Sequence, residues 1–156
     1  MGPSSIAGLR HGRALWASMR TLRAVELPGP ECWTLLASVP LGRVVFSQRA
    51  MPAIGVVRHL VEDTMIITRP PLGAMIGGRD LGAAGTGKAG TVVCYEADDI
   101  DPVTHTGWSV VITGTARRVT DPDDIARYES LPRWIDHPDD LVAIEPGLVT
   151  GRRLTE

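Results

Sequence analysis

Chemistry is most concentrated where Gly107, Trp108 and Ser109 lead into the β-branched run Val110-Val111-Ile112-Thr113-Gly114. An acidic turn, Asp98-Asp99-Ile100-Asp101-Pro102, precedes it. An indole ring, a hydroxyl and two glycines at a strand mouth suit a flat heteroaromatic ligand, which needs a stacking face, a polar contact and close backbone approach. The same residues also fit a core tryptophan in an ordinary strand, and taken alone the stretch favours that plainer reading.

Other reactive residue types form no established constellation. Gly85-Thr86-Gly87-Lys88-Ala89-Gly90 matches GxGxxG, but a strand-like run, Thr91 to Tyr95, follows where a dinucleotide fingerprint needs a helix. The overlapping stretch Gly82 to Ala89 places alanine where a phosphate-binding loop needs a magnesium-holding hydroxyl. His11, His59, His105 and His137 make no metal-like spacing. The reading leaves His59 as a pocket wall or a satisfied structural histidine, and places His105 in a solvated loop. Asp98, Asp99 and Asp101 lack the EF-hand spacing. No serine sits in a GxSxG elbow and neither cysteine has a nearby histidine, so hydrolase chemistry has no specific support.

These residues must be positioned by a chain of 156 residues, enough for one domain with a sizeable core. Sixteen basic against eighteen acidic side chains leave a formal charge of −2, which provides no global drive towards nucleic acid or anionic membrane. Cys32 and Cys94 stand far apart, as reduced cytoplasmic thiols do. No apolar run approaches the roughly 20 residues of a membrane helix. Residues 1–28, arginine-rich and without an acid before Glu26, are expected to be a poorly ordered extension, and residues 29–156 the folded domain.

Hydrophobic periodicity sets the elements. Glu31 to Ser38 reads as a short amphipathic helix begun by Pro30. Strands are predicted at Gly42–Ser47, Pro52–Val61, Thr64–Arg69, Thr91–Ala97 and Trp108–Val119, with final strands at Leu141–Ile144 and Leu148–Leu154. Residues 72–90 read as a Gly- and Ala-rich loop. Asp121-Pro122 opens a helix over residues 123–131. The fold class is therefore mainly β, a small barrel with flanking helices.

Seven segments in order resemble one family. They are Glu31-Cys32-Trp33-Thr34-Leu35-Leu36, Leu41-Gly42-Arg43-Val44-Val45-Phe46, Pro52-Ala53-Ile54, Val57-Arg58-His59-Leu60-Val61, Tyr95-Glu96-Ala97-Asp98, Asp101-Pro102 running into Thr106 to Val111, and Val149-Thr150-Gly151-Arg152-Arg153. Together they resemble the pyridoxamine 5′-phosphate oxidase-like flavin-binding proteins, especially short actinobacterial-type members, over residues 29–154. The resemblance implies a split β-barrel of the flavin reductase type, a homodimer and a cofactor groove at its interface. FMN is the implied cofactor, with the deazaflavin F420 or haem as alternatives. It implies a cytoplasmic oxidoreductase acting on a small molecule, or else a cofactor-free binding or structural dimer. Val57, Arg58 and His59 would line one wall, Thr68 and Arg69 would approach the phosphate or ribityl chain, and Trp108 and Ser109 the ring. His59 and His105 are the candidate haem ligands. Three positions depart from the family pattern: Gly55 replaces an arginine, Arg58 an asparagine and Ala74 a lysine. Arg79 and Lys88 are possible replacements for the missing cations.

Overall fold

The computed structural model describes residues 21–48, 50–69, 90–131 and 141–156. Among the described residues, seven strands and two helices follow one another: β1 (Arg23–Glu26), α1 (Gly29–Ser38), β2 (Leu41–Gln48), β3 (Met51–Glu62), β4 (Met65–Thr68), β5 (Thr91–Ile100), β6 (Gly107–Arg118), α2 (Pro122–Arg127) and β7 (Val142–Thr155). All strand pairings are antiparallel, in the order β1-β7-β4-β3-β2-β5-β6. A further pairing of β6 with β7 closes β2 to β7 into a six-stranded barrel. Arg23–Glu26, expected within the extension, instead pair with Arg152–Thr155 as an exposed edge strand. Residues 1–20 lie outside the described residues, as does most of the predicted 72–90 loop.

Strand alternation fills the barrel. Val44 and Phe46 of β2, Val57 of β3, Ile66 of β4, Val93, Tyr95 and Ala97 of β5, Trp108, Val110 and Ile112 of β6, and Val142 and Ile144 of β7 form one buried cluster. Burying side chains of this size contributes about 1.5–3 kcal/mol each. α1 plugs one end of the barrel with Cys32 and Leu36, which are fully buried. Pro30 sits in its first turn and Glu31 faces the helix dipole's positive end, as expected. A smaller cluster, Ile67, Val119, Tyr128, Leu141 and Ala143, packs outside the barrel.

Most predicted boundaries shift by one to three residues, with β5 running on to Ile100, and two elements change further. The final strands are one, because β7 runs through Pro146 and Gly147 by a bulge opposite Thr113 and Gly114. α2 stops at Arg127, short of residue 131. Its start is as read: Asp121 Oδ1 accepts the N–H groups of Asp123 at 2.9 Å and Asp124 at 3.3 Å. Among the described residues no helix is long and apolar enough to cross a membrane.

Candidate functional site

β3 and β4 make the first candidate wall. Within β3, only His59–Glu62 pair with β4, so residues 51–58 of β3 have a strand neighbour on the β2 side alone among the described residues. This open edge is the split of the barrel. Its backbone groups alternate as donors and acceptors, and buried ones must find a partner. At the corner where β3 and β4 part, His59 pairs with Thr68, which brings Val57-Arg58-His59 and Thr68-Arg69 together. Their side chains divide by face. Val57, His59 and Thr68 point inward and are buried, while Arg58 points outward and is half-buried. Thr68 Oγ1 donates to the Arg58 carbonyl oxygen at 2.6 Å. Arg69 extends past β4, where its Nη2 donates to the Tyr128 carbonyl oxygen at 3.1 Å and its Nε is buried.

His59 is fully committed. Its Nε2 lies 2.8 Å from the Leu36 carbonyl oxygen and its Nδ1 2.5 Å from the Tyr95 hydroxyl. Burial pushes its pKa down, against a smaller upward effect of the Leu36 hydrogen bond. Burial pushes the Tyr95 phenol up. Gly42 makes room for the contact: a Cβ there would overlap the Tyr95 hydroxyl and stand 2.8 Å from the Glu96 carbonyl oxygen. Both ring nitrogens are thus occupied, whereas the haem-ligand expectation for His59 needs one of them free. His105 sits in the exposed turn before β6 with φ of 60°.

Trp108 and Ser109 make the second wall, and here the plainer reading prevails for the ring. Trp108 is 6 % exposed and belongs to the barrel core. Val57 and Trp108 were expected to line a cofactor, but strand alternation turns both side chains inward. The glycines flanking this motif also serve the sheet. Gly107 has φ of 148°, and a Cβ would overlap the Asp99 carbonyl oxygen. A Cβ on Gly114 would overlap the Glu145 carbonyl oxygen at the β7 bulge. Ser109 faces outward, with Oγ 3.4 Å from Glu96 Oε1. Beside it Arg43 Nη1 bridges Glu96 Oε2 at 2.9 Å and Asp98 Oδ1 at 2.7 Å. Hydrogen bonds to Asp98 and then Glu96 raise the Arg43 pKa.

The two walls do not meet in one chain. β3 and β6 are three strand positions apart in either direction around a six-stranded barrel, on the order of 14 Å along the sheet. Their outer faces therefore look away from each other. The outer face between them carries a cross-strand row, Ile54–Val45–Cys94–Thr113–Leu148, set by successive register pairs. Ile54 and Leu148 are 65 % and 60 % exposed, and Val56 and Val92 nearby are exposed as well.

Elsewhere, Asp98 and Asp99 of the expected acidic turn lie in β5 instead, and the turn begins at Asp101, whose Oδ1 accepts the Val103 and Thr104 N–H groups, which lowers its pKa. No group of metal-binding side chains occurs among the described residues. Ala74, Arg79, Lys88, His11 and His137 lie outside them. The sequence reading quoted Gly42, Arg43, Tyr95 and Glu96 without giving them roles. The available signal was the glycine two residues into a strand, paired with an inward tyrosine on the neighbouring one.

Comparison with known proteins agrees with this architecture. The chain matches the pyridoxamine 5′-phosphate oxidase family over residues 29–153. It is 49 % identical over 132 residues to the uncharacterized protein Rv0080 of Mycobacterium tuberculosis, covering 83 % of this chain and 85 % of that one. Its fold is similar to a FAD-binding protein from Mycobacterium smegmatis, with 30 % identity, a TM-score of 0.66 and coverage of 85 % of this chain and 99 % of that one. It is also similar to a candidate pyridoxamine 5′-phosphate oxidase from Corynebacterium glutamicum, with 30 % identity, a TM-score of 0.70 and coverage of 86 % and 100 %. A closed six-stranded barrel with the open β3 edge, together with these matches, places the chain in the pyridoxamine 5′-phosphate oxidase family.

Proposed function

We propose that this chain is a flavin-binding homodimer that transfers hydride or electrons to a small molecule. The observation that carries the reading is the open β3 edge next to Arg58 and Arg69. A flavin presents a polar ring edge, an apolar ring face and a phosphate-bearing tail. Backbone groups of residues 51–58 suit the ring edge, exposed Val56 and Leu60 suit the apolar face, and Arg58 and Arg69 suit the tail. These residues fit the group. The bound flavin would supply the redox chemistry, and the protein would bind it, orient it and exclude water. FMN is the proposed form. The name of the Mycobacterium smegmatis neighbour makes FAD the form to test beside it.

The position of the walls supports the dimer in this reading. A groove using both Arg58 on β3 and Ser109 on β6 needs two chains, since these strands are opposite each other within one barrel. The apolar row from Ile54 to Leu148 is a suitable seat for a second copy, since large exposed apolar patches mark interaction surfaces. Haem is disfavoured by the commitment of His59, and a cofactor-free dimer is favoured by the inward placement of Val57, Thr68 and Trp108.

An absorption spectrum of the purified chain, followed by titration with FMN, FAD, F420 and haem, separates these readings. A flavin spectrum or uptake of FMN or FAD by a dimer is expected. A colourless protein that takes up none of them overturns flavin binding, and full flavin binding by a monomer overturns the shared groove. Arg69→Ala should weaken FMN binding by about tenfold to over a hundredfold, the loss of one charge-assisted hydrogen bond. Unchanged affinity removes Arg69 from the phosphate site.

A further inference from the structure

The bonds around His59 have a direction that their acceptors dictate. The Leu36 carbonyl oxygen can only accept, so Nε2 carries the hydrogen. In a neutral ring Nδ1 is then the acceptor, and the Tyr95 hydroxyl donates to it. The His59 main-chain N–H also donates to the Pro40 carbonyl oxygen at 3.2 Å. One residue thus ties the last turn of α1, and the corner leading into β2, to β3 and β5.

An imidazolium does not fit this arrangement. Both ring nitrogens would donate, and the Tyr95 hydroxyl hydrogen would lose the acceptor it uses. Among the described residues, the neighbours offer no compensating charge. From α1, Cys32 turns its thiol towards the Leu27 carbonyl oxygen, 3.8 Å away, and Glu31 pairs with Arg153 at 2.5 Å. On β2, Gly42 faces the ring system, while Arg43 points outward to Glu96 and Asp98. On β3, Val57 is apolar and Arg58 points outward. On β4 the Thr68 hydroxyl is committed to the Arg58 carbonyl oxygen. On β5, Tyr95 is itself a donor and Glu96 points outward.

We propose that His59 is a proton-operated clasp: while neutral it locks the last turn of α1 to β3 and β5, and taking up a proton releases that turn. Burial lowers the folded-state pKa below the unfolded value. The clasp's contribution is therefore complete above about pH 6.5 and is lost as the pH falls from there through the folded pKa. The device does not depend on flavin and is tested on ligand-free protein.

The test is NMR of the full chain between pH 8 and 5, following the His59 ring nitrogens and hydrogen exchange at the amides of Leu36, Val39 and His59. The neutral Nε2–H form is expected at pH 7.5. Protection of those amides, corrected for intrinsic exchange, should fall about tenfold or more as the ring titrates, while β6 amides stay protected. His59→Gln should abolish that pH response. Tyr95→Phe removes the donor to Nδ1 and should raise the His59 titration midpoint. The proposal is overturned if His59→Gln exchanges with the same pH dependence as the parent. An unmoved midpoint in Tyr95→Phe also overturns it, and decides the matter alone should His59→Gln fail to fold.

Discussion

The inner and outer faces of the same strands have different work. On β3, Val57 and His59 face inward while Arg58 faces outward; on β6, Trp108 faces inward and Ser109 outward. The inner residues are buried with their polar atoms paired, as in the Leu36–His59–Tyr95 chain and the Thr68 bond. The outer face keeps exposed apolar side chains and half-exposed charges. A family segment such as Val57-Arg58-His59 is thus two interleaved signals. One fills the barrel and the other is presented to whatever binds outside.

Adjacent substitutions on β6 test this division most severely. Trp108→Ala should cost about 3–5 kcal/mol in urea unfolding, because it empties a large volume within the core cluster. Ser109→Ala should stay within about 0.5 kcal/mol. Similar losses at both positions would mean that the two faces are not distinct in energy. A well-folded Trp108→Ala protein that had lost only flavin affinity would return the indole to the ligand.

Gly42→Ala probes the inner face with a single added methyl group. Its Cβ would overlap the Tyr95 hydroxyl and crowd the Glu96 carbonyl oxygen. Overpacking and a displaced buried hydrogen bond should together cost about 3 kcal/mol. Tyr95→Phe combined with Gly42→Ala should recover part of that loss, since the hydroxyl is the nearest obstacle. A Gly42→Ala protein as stable as the parent would show that the Tyr95 contact with His59 is loose.

Periodicity made most of the strands legible, because alternation over residues 42–47, 52–61 and 108–119 is driven by a one-sided core. It failed at Pro146-Gly147, which read as a break, because a bulge lets β7 keep pairing across both residues. The first wall was legible as a neighbourhood, since a short turn forces β3 and β4 to pair and sets His59 against Thr68. Which residues face a ligand was less so. The family segments specify positions along the chain, whereas the inward turn of Trp108 and the barrel-wide separation of β3 from β6 arise from tertiary closure. Tyr95 reaching His59 past Gly42 joins three strands, and no local pattern announces it.

A small effect is also expected from the most conspicuous charges. Arg43 spans Glu96 and Asp98 with short bonds, yet its side chain is 49 % exposed. Water screens such pairs, and holding three side chains together costs entropy, so Arg43→Gln should change stability by less than about 1 kcal/mol. The residual effect should shrink further in high salt. The contrast with Gly42 is then a direct comparison of neighbouring residues on one strand, where a methyl group inside outweighs a charge outside. A loss above about 2 kcal/mol that persists in salt would require the cluster to be buried.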